Sequence, residues 1–180
     1  MNFPLWQAAA SLAARAHAHQ RRKDGQTPYV AHPFRVAMTV RDVFGCSDPE
    51  ALAIALLHDT IEDTTVDYDD LVAMFGATVA DGVAALTKNK SLREDEREKE
   101  YDARLRKADW RARLVKLADT FDNLSESPPN DGGNPADRLS RLVKRCHRAL
   151  ELASQDEAAH EETRRGAEAV RRLLTAMQKA

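Results

Sequence analysis

Residues 51–64, ALAIALLHDTIEDT, decide how this chain folds. Seven apolar residues lead directly into four ionisable ones, His58, Asp59, Glu62 and Asp63. The pattern predicts a buried helix that ends in charge, and on one continuous helix His58 would stand one turn from Glu62. Ionisable groups are costly in a core unless something pairs them. A bound cation would explain the cluster; a solvated helix end with acidic residues is the alternative.

Composition predicts a single domain over residues 1–180. The chain has 180 residues, of which 43% are hydrophobic, so it is long enough for one well-buried core and short for two. The net charge is -2, from 27 basic and 29 acidic residues. This balance gives no reason to expect nucleic acid or an anionic membrane as a partner.

Cysteine usage and the N-terminal residues predict a cytoplasmic location. Cys46 and Cys146 stand in no CxxC or CxxH pattern and are too few for a disulfide framework, which fits a reducing compartment. The first residues lack a basic leader, so they make a poor secretory signal. No run approaches the roughly 18 apolar residues of a membrane span, so we expect no membrane partner.

Helical spacing of apolar residues recurs along the chain and predicts an all-α fold. The predicted helices are 5–19, about 33–44, one capped by Ser47 or Asp48 with Pro49 near its start, two short ones divided at Gly76, 111–124, and packing helices within 136–180. Residues 88–107 are densely charged and form either a solvated helix or a mobile flap. Residues 125–135, SESPPNDGGNP, are expected to be an exposed loop because proline and glycine interrupt helices.

Four residues at helix entrances or at the polar ends of apolar segments form a candidate metal site: His32, His58, Asp59 and Asp119. Such ends can converge in a helical bundle. Two imidazoles and two carboxylates suit manganese, iron, nickel or zinc. Each residue alone is weak evidence for a metal site, since His32 could cap a helix or pack in the core and Asp119 could pair with Lys116. The combination predicts one divalent ion.

Asn123 lies one turn after Asp119, so it can reach the same cavity as a neutral donor and acceptor. Asp122 is expected to be solvated. The remaining histidines have no matching carboxylates and are interpreted as structural or surface residues: His17, His19, His147 and His160.

The succession HxxQRRKDGxxPYVxHP, ALLHDTIEDT and LVKLADxxxNL resembles the HD-domain superfamily and, within it, the alarmone hydrolase branch. That branch includes the hydrolase half of the RelA/SpoT proteins and the free-standing small alarmone hydrolases, such as the metazoan SpoT homologue. The similarity covers residues 5–124, and the helical remainder is compatible with it. The resemblance implies a helical HD-domain bundle whose substrate is a guanine nucleotide and whose ion is Mn²⁺.

The resemblance also implies roles for individual residues. The metal ligands would be His32, His58, Asp59 and Asp119. The acidic pair that activates the attacking water would be Glu62 and Asp63, and the nucleotide and its phosphates would be held by Arg22, Lys23 and Asn123.

The chemistry of these residues agrees with the implied roles. Water bound to a metal loses its proton readily, and Glu62 or Asp63 is placed to accept that proton. Arg22 and Lys23 could neutralise charge on phosphate oxygens. The alternative for these two cations is an ordinary basic loop, but that loop leads straight to His32.

Two departures from the family pattern concern substrate preference. The family commonly has arginine or lysine after KLAD, where this chain has Thr120. The basic and aromatic pair expected on the following helix is not evident. Both differences lie where the base or the distal phosphates would be recognised.

The first functional hypothesis is a manganese-dependent guanosine-3′,5′-bis(diphosphate) 3′-pyrophosphohydrolase, which converts (p)ppGpp to GDP or GTP and pyrophosphate. An alternative keeps the site and changes the substrate to a 3′-phosphorylated adenine nucleotide or the 2′-phosphate of NADPH. A third hypothesis is a non-catalytic HD module that senses a nucleotide. We expect no alarmone synthetase domain, and the oligomeric state is not predicted.

Overall fold

A computed structural model describes residues 4–126 and 134–179. The described chain is helical, and its β-type pairing is limited to one isolated bridge between Arg21 and Pro28. The α-helices are α1 (Leu5–Ala16), α2 (Ala31–Met38), α3 (Pro49–Leu57), α4 (Thr60–Asp63), α5 (Tyr68–Phe75), α6 (Ala77–Leu86), α7 (Glu94–Lys107), α8 (Trp110–Ser125), α9 (Pro135–Ala153) and α10 (Glu161–Lys179). A π-helical turn, Thr39–Val43, extends α2, and a 3-10 helix, Ser154–Asp156, follows α9. The predicted all-α class is confirmed.

Helix α3 is the centre of the bundle. Asp48 caps it by accepting a hydrogen bond of 2.8 Å from a backbone N–H of the first turn, and Pro49 is its first residue, as predicted. All of residues 51–57 are buried, and α3 packs against α1, α2, α6 and α8. Gly82 permits the close approach of α6, because a Cβ atom there would lie 2.4 Å from Cδ1 of Ile54. A helix that is apolar on every side has to be surrounded.

The helix does not continue through the ionisable cluster. It ends at Leu57, and the chain becomes helical again only at Thr60. The Thr60 hydroxyl donates to the Leu57 carbonyl at 2.7 Å, and His58 Nδ1 donates to the Ala55 carbonyl at 2.8 Å. These side chains bond to carbonyls that a continuing helix would use itself. The expectation of one continuous helix over 51–64 was therefore wrong at this point.

Helices α5 to α7 follow the predicted pattern. Gly76 separates α5 from α6 with a φ of +84°, a left-handed conformation that glycine adopts at little cost. Within the charged segment, α7 buries Tyr101 and Leu105, and most of its charged side chains stay at least partly exposed. Residues 94–107 form the solvated helix, one of the two alternatives for this segment, whereas residues 88–93 are not helical.

Helix α8 joins the N-terminal part of the bundle to α9 and α10, against which it packs. Arg113 of α8 makes a buried bidentate pair with Asp156, with N–O distances of 2.5 and 2.9 Å. The loop predicted at 125–135 falls largely on 127–133, outside the described residues. Cys46 and Cys146 are free and buried. Among the described residues no helix is long and apolar enough to cross a membrane.

Candidate metal centre

Four elements bring the predicted ligands to one place. His32 is the second residue of α2, and His58 with Asp59 forms the break between α3 and α4. Asp119 lies inside α8, more than a turn before its end at Ser125. The prediction of converging helix ends therefore holds for His32, His58 and Asp59. Asp119 instead projects from the middle of a helix.

Each imidazole Nε2 lies near an oxygen of both aspartates, and His32, His58 and Asp59 have donor atoms that all lie within 4.8 Å of one another. His58 Nε2 lies 3.1 Å from Asp59 Oδ2 and 4.0 Å from Asp119 Oδ1. His32 Nε2 lies 3.3 Å from Asp119 Oδ1 and 3.7 Å from Asp59 Oδ2. Two ligands that each stand about 2.1 Å from one ion are at most about 4.2 Å apart. All four distances meet that limit.

Both imidazoles are held so that Nε2 faces the centre. His58 Nδ1 lies 2.8 Å from the Ala55 carbonyl, which can only accept, so this nitrogen carries the proton of the neutral ring. His32 Nδ1 lies 2.7 Å from Asp122 Oδ2. His58 Nε2 is buried and has no hydrogen-bond partner in the described part of the chain. A buried imidazole nitrogen without a hydrogen-bond partner fits a metal ligand.

Asp122 is not solvated, so that expectation was wrong. Its side chain is only 6% exposed, because this face of α8 packs against α2. Arg35 of α2 binds it through two hydrogen bonds of 2.7 and 2.9 Å, and His32 supplies the third. No sequence pattern indicated these partners, since His32 and Arg35 lie about 90 residues earlier in the chain.

The carboxylates of the centre are ionised in spite of their burial. Burial raises the pKa of Asp119, but Lys116, whose Nζ lies 2.8 Å away, and the two histidines outweigh it and hold the pKa well below its usual value. Burial also opposes ionisation of Asp59, yet His58 lowers its pKa. Burial lowers the pKa of His58, whereas the charges of Asp59 and Asp119 raise it to about 9. The centre therefore favours positive charge.

Sequence reasoning missed Tyr29 as part of this centre. Its hydroxyl donates a hydrogen bond of 2.7 Å to Asp59 Oδ2. The ring lies against His17 and His32, with centroid distances of 4.8 and 6.0 Å. Its position in the motif PYVxHP, three residues before His32, was the available signal.

The predicted acidic pair is divided between two environments. Glu62 faces the cavity beside the centre and accepts a hydrogen bond of 2.8 Å from the Lys88 backbone N–H. Asp63 is not among the residues that line that cavity; its Oδ1 lies 2.7 Å from Lys90 Nζ. Of the two, Glu62 is the carboxylate with access to the cavity.

The three residues predicted to bind the nucleotide lie in different surroundings: one lines the cavity, one is ion-paired and one is exposed. Asn123 lines the cavity and donates to Asp119 Oδ1 at 2.6 Å. Arg22 lies near it, with its guanidinium 3.4 Å from Asn123 Oδ1, and forms an ion pair with Glu126. Lys23 is exposed and makes no ion pair with a described residue. Glu126 was not singled out by the sequence.

A cavity of about 200 Å³ opens beside the centre. Helix α9 contributes Arg145 and Arg148 to its wall, and α7 contributes Tyr101. Two basic residues of α9 and one aromatic residue of α7 thus line this cavity. Thr120 also lines the cavity, but its hydroxyl donates to the Lys116 carbonyl at 2.8 Å.

Fold and site together describe an all-α protein in which two histidines and two aspartates lie close together at a buried site, three of them in a group that could hold a metal ion. Residues 9–132 match the family model of the HD domain, so the chain belongs to the HD-domain family. Divalent metal binding is a property that the HD domain implies, and the side chains described above fit it.

Similar proteins carry one recurring name. The guanosine-3′,5′-bis(diphosphate) 3′-pyrophosphohydrolase MESH1 of Danio rerio is 42% identical over 117 residues, which is 64% of this chain and 65% of that protein. The Homo sapiens protein of that name is 42% identical over 119 residues, 66% of each chain. The matched region thus spans slightly less than two thirds of these relatives. A solved structure of a metazoan SpoT orthologue that hydrolyses ppGpp superposes with a TM-score of 0.78 at 28% identity, covering 96% of both chains.

Proposed function

We propose that this chain is a 3′-pyrophosphohydrolase of guanosine alarmones, which converts (p)ppGpp to GDP or GTP and pyrophosphate with Mn²⁺ as its ion. The observation that carries the proposal is the group of His32, His58 and Asp59, with Asp119 within 4.0 Å of both imidazoles, beside a cavity that Glu62 faces. The relatives named for this activity support the choice of substrate.

In this proposal the four clustered side chains hold the ion. When bound, a divalent ion supplies Lewis acidity toward water and phosphate oxygens. His32 and His58 offer Nε2, because their Nδ1 atoms are engaged with Asp122 and with a backbone carbonyl. The two carboxylates contribute negative charge, which the buried histidines and Lys116 already stabilise.

Glu62 acts as the general base. It stands at the cavity wall, within one short helix of Asp59, and its side chain is 22% exposed, so it can exchange a proton with solvent. The water that attacks the phosphorus on the ribose 3′-oxygen gives its proton to Glu62, the bond between that phosphorus and the 3′-oxygen breaks, and the 3′-oxygen takes up a proton as pyrophosphate leaves. Asp63 assists by orienting Lys90, which contacts Asp63 at 2.7 Å and the Glu62 carbonyl at 3.0 Å.

Arg22, Lys23 and Asn123 bind the nucleotide and its phosphates. Arg22 presents a planar guanidinium beside Asn123, which lines the cavity, and such a group is suited to two phosphate oxygens at once. Lys23 lies next to it and is free of protein carboxylates among the described residues, so its charge is available to a ligand. Asn123 reaches both Arg22 and Asp119, which links the phosphate contacts to the metal ligands.

A second candidate keeps the chemistry and changes the nucleotide. Thr120 lines the cavity where the family commonly has a cation, and its hydroxyl is turned to the backbone. A site with one cation fewer there could favour a 3′-phosphorylated adenine nucleotide or the 2′-phosphate of NADPH. A non-catalytic sensor is disfavoured because Glu62 and all four ligands are retained.

We infer that residues 5–124, which carry the motifs, and helices α9 and α10 form one domain. The inference is supported by the packing of α8 against both C-terminal helices and by the buried Arg113–Asp156 pair. Limited proteolysis should then release no stable fragment that ends before α9.

The test is product analysis with metal-loaded protein. Purified protein, freed of metal and reloaded with Mn²⁺, should release pyrophosphate from ppGpp and leave GDP. A panel with the adenine nucleotide and NADPH, compared by kcat/KM, separates the two candidates. Well-folded protein with one bound ion and no pyrophosphate release would refute the first proposal, and a preference of orders of magnitude for ppGpp would refute the second.

A further inference from the structure

Asp122 is a buried carboxylate for which the proposed mechanism has no role. Its side chain is 6% exposed, and it lies 2.7 Å from Nδ1 of His32, on the side of the ring opposite to the metal centre. A carboxylate in this position accepts the Nδ1 proton and leaves the Nε2 lone pair directed at the centre.

Arg35 holds this carboxylate in place. Its Nε donates to Asp122 Oδ1 at 2.7 Å and its terminal nitrogen donates to Oδ2 at 2.9 Å, a bidentate geometry that fixes the plane of the carboxylate. Arg35 lies one turn after His32 on α2, so a single helix supplies both partners of Asp122. The imidazole can then neither flip nor change tautomer without breaking this arrangement.

The chain of contacts extends beyond Arg35 to two further charged side chains. The terminal nitrogen of Arg35 also lies 3.1 Å from Glu126 Oε1, and Glu126 pairs with Arg22. The side chains Arg22, Glu126, Arg35, Asp122 and His32 therefore form one continuous ionic series. The two inner members, Asp122 and His32, are buried, whereas the outer ones are reached by solvent.

We propose that Asp122, fixed by Arg35, is a positioning residue that sets the tautomer and orientation of His32 for metal binding. The inference rests on the proposed metal role of His32. Asp122 does not touch the substrate in this scheme; it acts through the imidazole. Partners of this kind contribute about 10- to 100-fold to metal affinity in other proteins.

The chain offers a matched control in Asp156. This residue is also a buried aspartate, and it makes a bidentate pair with Arg113 as Asp122 does with Arg35. Its carboxylate pairs with no histidine among the described residues, and only its backbone carbonyl accepts a hydrogen bond from the His160 backbone N–H. Asp156→Asn therefore reproduces the loss of a buried ion pair without any loss of support for a ligand.

The experiment measures the dissociation constant for Mn²⁺ by calorimetric titration of the metal-free protein. Asp122→Asn should weaken binding about 10- to 100-fold, because an amide can donate to Nδ1 and stabilise the wrong tautomer. Asp156→Asn should bind Mn²⁺ as the unmodified protein does, even where its melting temperature falls. Arg35→Gln, at a partly exposed position, should weaken binding to a lesser degree, since the contact between Asp122 and His32 survives.

The outcomes separate this inference from the proposed function. If the unmodified protein binds no divalent ion, the proposed function itself fails. If it binds Mn²⁺ and Asp122→Asn binds equally well, or if Asp156→Asn weakens binding as much, Asp122 has only a structural role and the inference is overturned. Should Asp122→Asn not fold, Arg35→Gln decides in the same way against the Asp156→Asn control.

Discussion

Replacement of Glu62 by glutamine should slow turnover strongly while the metal stays bound. Glu62 Oε2 accepts a hydrogen bond from the Lys88 backbone, and a glutamine carbonyl can accept the same bond, so the fold should be preserved. The amide cannot take up a proton. The loss of a general base lowers the rate by about 10²- to 10⁴-fold, which is about 2.7 to 5.4 kcal/mol in activation free energy.

The assay is single-turnover release of pyrophosphate from ppGpp, with bound manganese measured in each sample. Asp63→Asn is the comparison, since Asp63 does not line the cavity and pairs with Lys90 at 2.7 Å. Its loss of rate should be much smaller than that of Glu62→Gln. The reasoning is refuted if Glu62→Gln turns over normally with its metal bound, or if Asp63→Asn alone shows the full loss.

Three further changes test the surroundings of the site and the fold. Glu126→Gln should lower KM by up to about fivefold with kcat unchanged, because an ion pair of this exposure is worth about 1 kcal/mol or less and its removal frees Arg22 for phosphate; steady-state kinetics showing a raised KM would contradict this. Gly82→Ala should cost about 1–3 kcal/mol in overpacking, because the new Cβ would lie 2.4 Å from buried Ile54, and the gain of about 1 kcal/mol in helix propensity leaves a net loss of up to about 2 kcal/mol. Urea denaturation showing a more stable variant would contradict it. Asp48→Ala should lose about 1 kcal/mol of capping at neutral pH. Its arginine partner lowers the pKa of Asp48, so the stabilisation exists above the unfolded pKa of about 3.9 and is lost as pH falls through the lower folded value; melting curves of the two proteins should converge in acid, and a constant difference would contradict the assignment.

The fold was predictable where local chemistry decides it. Asp48 and Pro49 mark a helix start through a side-chain acceptor and a fixed φ, and both act as predicted. Gly76 marks a helix boundary because its positive φ suits glycine. The break after Leu57 was not predicted, since it depends on side-chain hydrogen bonds to the backbone that compete with the helix.

From the sequence, only the identities of the candidate site residues were predictable, and not their partners in the fold. His58 and Asp59 follow an apolar run, and that contrast is visible without a structure. The environment of Asp122 was not visible, because its partners His32 and Arg35 come from a helix about 90 residues earlier in the chain. Glu62 and Asp63 looked equivalent in sequence, whereas the packing of residues 88–90 gave them different neighbours.

By itself the sequence determined the helical class, the central apolar helix and the identity of the ionisable residues, because these follow from short-range periodicity, turn chemistry and motif order. The tertiary structure alone decided that Asp119 is presented from inside α8, that Asp122 supports His32, and that Glu62 rather than Asp63 faces the cavity. The physical reason is that burial and ionic pairing depend on which helix faces lie within a few ångströms of each other. That proximity is set by the packing of the whole bundle and not by separation along the chain.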